Sequence, residues 1–131
     1  MTLDDAVSQI RTALPGCRLI YLFGSRATGH QGDASDIDLA VLADRPIDSL
    51  ARGRLQEDLA SALGRDVGLV DLLQASTVLR ARIVETGRVL YELRRSDRHR
   101  FEATALAAYA RLNEERRGIL EDIRLRGSVH G

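Results

Sequence analysis

The sequence predicts an α/β fold with a small mixed β-sheet, helices mainly on one face and a long C-terminal helix. A nearly continuous apolar, β-rich run at 17–23 is suited to a strand in a covered sheet, and 36–43 reads as a second strand. Segments with helical apolar spacing alternate with such runs, and the last of them, from about 97 to 125, is long enough to outreach the sheet.

Residues Thr2 to Leu14 read as the first helix. Thr2 is its N-cap, Asp4 and Asp5 sit in its first turn, and Leu3, Ala6, Val7, Ile10 and Leu14 recur on one face. Pro15-Gly16 ends it, and Cys17 to Phe23 follows as the first strand. A turn and a short helical segment are expected from Gly24 to about Gly29, then a polar connection from His30 to Ser35. The second strand, Asp36 to Ala43, closes at Asp44-Arg45-Pro46, because proline ends strand pairing. Asp48 to Leu63 is the second long helix, stopped by Gly64. Asp66 to Leu73 is a third strand, Ala75 to Glu85 a short helix, and Arg88 to Leu93 a fourth strand at an edge. In the final helix Phe101, Ala105, Ala108, Tyr109, Leu112, Ile119, Leu120 and Ile123 are the apolar positions, and Gly118 interrupts it. Its inner half is expected on the sheet and its outer half free to leave the domain.

A chain of 131 residues is expected to form one domain, 1–131, with a core that needs no staples. No apolar run approaches a membrane span and the N-terminus lacks a basic start followed by an apolar block, so a cytoplasmic protein is expected. Cys17, the single cysteine, has no internal partner for a disulfide and reads as a buried, inert thiol. Nineteen basic residues balance nineteen acidic ones, which leaves no overall field for nucleic acid. The arginines around 94–100 and 116–126 read as a solvated helix face paired with nearby acids.

Chemistry concentrates in Leu22 to Leu42. Gly24-Ser25 is followed by ten residues and then Asp36-Ile37-Asp38. Side chains two apart on a strand point the same way, so Asp36 and Asp38 share one small space. Such a pair is costly to keep ionised without a cation, and Mg²⁺ is the usual occupant when phosphate supplies the other ligands. A helix opening at Ser25 would turn free N–H groups toward that phosphate. Gly24 permits close backbone approach, and Ser25 offers a hydroxyl and an N–H. Arg26 has two readings, a phosphate contact or a solvated side chain, while His30 in its polar loop reads as exposed. Asp71, inside an apolar strand, needs a partner: a metal site, or an arginine at a strand end.

The pattern Gly-Ser-x10-Asp-x-Asp, within FGSRATG…SDIDLAVL, resembles the nucleotidyltransferase superfamily related to DNA polymerase β, and in particular its minimal members that act as antitoxins beside HEPN-domain toxins. The likeness covers nearly the whole chain, through the VDL strand and the RFE…AYARL helix. It implies the polymerase β-like fold. It also implies three carboxylates at one centre, with Asp71 from the later strand joining Asp36 and Asp38 around two Mg²⁺ ions, and Gly24, Ser25 and Arg26 on the nucleotide. The implied reaction is attack on the α-phosphorus of ATP, with Asp71 receiving the hydroxyl proton. The implied acceptor is a tyrosine of a cognate HEPN ribonuclease, bound in a hetero-oligomer, with no direct contact to nucleic acid or membrane. Two other readings stay open: an antitoxin that masks its partner without catalysis, and a transferase acting on an aminoglycoside-like alcohol.

Overall fold

The computed structural model describes residues 1–24 and 36–130, the last four of these by their backbone alone. Four helices and four strands follow one another among them: α1 (Leu3–Ala13), β1 (Cys17–Phe23), β2 (Ile37–Ala43), α2 (Ser49–Leu63), β3 (Val67–Asp71), α3 (Thr77–Thr86), β4 (Arg88–Glu92) and α4 (Arg95–His130). The turn and short helix expected after Gly24, with Ser25, Arg26 and His30, fall in 25–35, outside the described residues.

Local chemistry sets the helix starts. Thr2 and Asp5 form a reciprocal capping box, the Asp5 amide donating to Thr2 Oγ1 at 3.2 Å and the Thr2 amide to Asp5 Oδ2 at 2.9 Å. Those bonds with Thr2 hold the Asp5 carboxyl below its usual range. Asp48 caps α2 by accepting from the Ala51 amide at 3.1 Å, and Ser76 caps α3 through the Leu79 amide at 3.1 Å. The Ser76 cap starts α3 two residues later than the apolar spacing suggests.

The sheet is mixed, in the order β3-β2-β1-β4. β1 runs antiparallel to β2 and to β4, while β2 and β3 are parallel. Each of its faces carries a separate apolar core. On one, Ala6 and Ile10 of α1 and Leu55 and Leu59 of α2 pack on Ile20, Leu22, Leu39, Val41 and Leu69. On the other, Ile83 of α3 and Phe101 of α4 pack with Leu19, Tyr21, Ala40 and Leu72. The expectation of helices mainly on one face is therefore corrected: two helices cover each face. The cause is β1 itself, whose consecutive Leu19, Ile20, Tyr21 and Leu22 are all buried and point alternately to both sides.

The final helix is longer at both ends than the expected 97–125 and passes Gly118 without a break. Its first turns are fastened to the sheet by Arg18 to Asp97 at 3.1 Å, by Arg98 to Glu92, and by the Tyr21 hydroxyl donating to Glu102 at 3.1 Å. Beyond residue 113 every described side chain is exposed, Ile119, Leu120, Ile123 and Leu125 among them.

Candidate active site

Asp36 stands exposed immediately before β2, and Asp38 is the second residue of that strand. Asp38 shares the parity of Ala40 and Leu42, so its side chain points to the face covered by α3 and α4. Across β1 it pairs with Phe23, the residue before Gly24, and across β3 it pairs with Gly68. Glycine thus flanks the carboxylate on both sides. A Cβ at Gly24 would lie 2.5 Å from Asp38 Oδ2, and one at Gly68 would lie 2.9 Å from Oδ1. Gly24 also has φ 77°, the left-handed region that the turn out of β1 requires and that other residues adopt at a cost.

Burial raises the Asp38 carboxyl above its ordinary range, and the negative charge of Asp36 raises it further. A hard divalent cation between the two reverses both effects, because it replaces lost hydration and neutralises the mutual repulsion. These oxygen donors, with glycine on either side of Asp38, fit such a cation and a phosphate bound beside it.

The structure does not bring Asp71 to this pair. It shares the parity of Val67 and Leu69, whose side chains enter the α1/α2 core, so it faces away from Asp38. Both oxygens of its buried carboxylate are hydrogen-bonded there: Oδ2 accepts from the Ile47 amide at 2.7 Å and from Gln74 Nε2 at 3.1 Å, and Oδ1 accepts from the Leu73 amide at 3.0 Å. Asp71 thus ties the connection before α2 to the turn after β3. Backbone amides and Gln74 satisfy the carboxylate, where metal or arginine was expected. Among the described residues, no three His, Cys, Asp or Glu side chains gather as a metal-binding group. Ser25 and Arg26, expected on the nucleotide, lie outside the described residues.

Gly68 is the site residue that motif reasoning passed over. Its signal was in the sequence, since a glycine inside a strand pattern marks close approach of another group. A groove of about 310 Å³ between α3 and α4, lined by Leu42, Leu72, Thr77, Phe101 and Ala105, opens toward the far end of β2 and is separate from the carboxylates.

A mixed sheet that presents a carboxylate pair at the start of one strand, beside a glycine turn, defines a nucleotidyltransferase-type domain. The chain belongs to the family described as Polymerase beta, Nucleotidyltransferase, which it matches over residues 7–96. It is similar to the protein adenylyltransferase MntA of Shewanella oneidensis, with 43% identity over 120 residues that cover 92% of this chain and 86% of the relative. Its fold is similar to that in a crystal structure of a toxin-antitoxin with AMP-PNP, at TM-score 0.85 and 41% identity, covering 93% of this chain and 98% of the other. A structure of the tri-AMPylated Shewanella oneidensis HEPN toxin in complex with MNT antitoxin matches at TM-score 0.78 and 39% identity, covering 92% of this chain and 96% of the other.

Proposed function

We propose that this chain is a Mg²⁺-dependent protein adenylyltransferase that acts as an antitoxin, transferring AMP from ATP to a tyrosine of a cognate HEPN-domain ribonuclease and so silencing it. The observation that carries this reading is the Asp36–Asp38 pair beside Gly24, in a chain 43% identical to an MntA adenylyltransferase over 92% of its length.

The tyrosine oxygen forms a bond to the α-phosphorus while the bond from that phosphorus to the β-phosphate bridging oxygen breaks. Pyrophosphate leaves, and the hydroxyl proton passes to solvent. Asp36 and Asp38 hold the cation, which supplies charge neutralisation for the triphosphate when bound. Gly24 gives the phosphates room at the turn, Ser25 donates its hydroxyl and N–H, and Arg26 supplies positive charge at the triphosphate. Asp71 receives no proton in this scheme; it holds the Ile47 connection in place. No helix among the described residues is long and apolar enough to cross a membrane. We place the protein in the cytoplasm, where ATP and the ribonuclease's RNA substrates are found.

The test uses ATP labelled at the α- or the γ-phosphate, Mg²⁺, and the product of the neighbouring gene as acceptor, with Asp38→Asn alongside. A toxin band labelled from the α-position alone, and absent with the variant, is the expected result. Transfer and neutralisation that both survive Asp38→Asn would sink the catalytic reading and leave masking by contact.

A further inference from the structure

The place beside Asp38 on β3 belongs to Gly68. The two residues are partners in the parallel register, and a Cβ at Gly68 would point at Asp38 Oδ1 from 2.9 Å away. Asp71 lies three residues further along the same strand. Three is an odd number, so it faces the opposite layer, and at about 3.3 Å per residue it is also roughly 10 Å down the strand. No small shift of β3 corrects both. A glycine in a strand sacrifices packing and ordering, and here the group it makes room for is the Asp38 carboxylate itself.

We propose that Gly68 occupies the β3 position where a third carboxylate would complete the metal centre, and that this chain consequently binds its nucleotide with one divalent cation, on Asp36 and Asp38, instead of two. The inference rests on the nucleotidyltransferase reading above. Its physical basis is charge and donor count. Two carboxylates and the phosphates satisfy one hard cation, whereas a second cation a few ångströms away needs a further protein oxygen to bridge it. Among the described residues, no third acidic, histidine or cysteine side chain reaches the pair.

Counting Mn²⁺ bound to the full chain by electron paramagnetic resonance, with a non-hydrolysable ATP analogue present, tests this directly. The wild-type chain is expected to bind one Mn²⁺, Asp38→Asn none, and Gly68→Asp two. Two ions on the wild-type chain would overturn this inference while leaving the function standing; none would overturn both. A folded Gly68→Asp that still binds one ion would show that position 68 is not a ligand position. Gly68→Ala provides the check that does not depend on a new charge, because its Cβ meets only the movable end of the Asp38 side chain. It should keep the wild-type circular-dichroism melt yet weaken Mn²⁺ binding about tenfold. Unchanged affinity would overturn the proposed close approach.

Discussion

Asp38 is held above the ordinary carboxylate range by burial first and the charge of Asp36 second. The folded state therefore keeps its proton more tightly than the unfolded chain does. Between the unfolded and the folded pKa the native state binds more protons, so stability falls as pH rises through that window and stays lower above it. Asp38→Asn removes this penalty. It is expected to raise the melting temperature at pH 7 without divalent cations, and to lose that advantage below the ordinary carboxylate range. A variant that melts below wild type at pH 7 would refute the repulsive reading of the pair. Asp71 is held by hydrogen bonds: its oxygens accept from two backbone amides and Gln74. Asp71→Ala leaves the buried Ile47 amide without its partner and should cost about 1–3 kcal/mol in urea unfolding. Nucleotide-dependent Mn²⁺ binding should persist in that variant at temperatures where it is folded. Loss of the metal with full stability would return Asp71 to the catalytic centre.

At the scale of elements, β2 is the organising strand, since it carries Asp38, follows directly on Asp36, and pairs with β1 on one side and β3 on the other. Its inner residues Leu39, Ala40 and Val41 are completely buried, which fixes the register that sets Asp38 beside Gly68. Among the described side chains, those that bind α4 to the sheet lie in its first half: Phe101, Arg98 through Glu92, and Glu102 through Tyr21. Its second half is supported by helix-internal bonds and pairs such as Arg126 with Asp122 at 3.3 Å. Gly118 lies in this exposed part, with nothing within 4 Å of an added Cβ. Gly118→Ala should therefore stabilise the helix by about 0.5–1 kcal/mol, seen as increased ellipticity at 222 nm and slower amide exchange around it. No gain would mean that the outer half is not helical in solution.

In the molecule as a whole, two apolar cores hold the sheet between α1 and α2 on one face and α3 and α4 on the other. Neither core draws on residues beyond Ala105, and no described side chain after residue 113 is buried. A chain ending at Asn113 is accordingly expected to melt within about 4 °C of the full chain, a change of under about 1 kcal/mol. A larger drop would show that the protruding helix folds back on the domain. Mg²⁺ with ATP should raise the melting temperature of both chains equally, because Asp36 and Asp38 lie at the other end of the sequence from the cut.

The order of helices and strands, the Thr2 cap, the Gly64 stop, the buried Cys17 and the Asp36–Asp38 pair were legible in the sequence, because each depends on neighbours within a few residues. Strand parity alone places Asp36 and Asp38 together, and apolar spacing alone separates α2 from β3. Tertiary structure decided what depends on partners distant in sequence. The apolar run of β1 calls for cover on both faces, but which pair of helices returns to each side depends on the whole fold. The fate of Asp71 was likewise undecidable from its own strand, since an acid among apolar residues points to a metal or an arginine and says nothing of backbone donors distant in sequence. Only the β2–β3 register shows that Asp71 turns to the Ile47 amide, and that Gly68 is the residue standing beside Asp38.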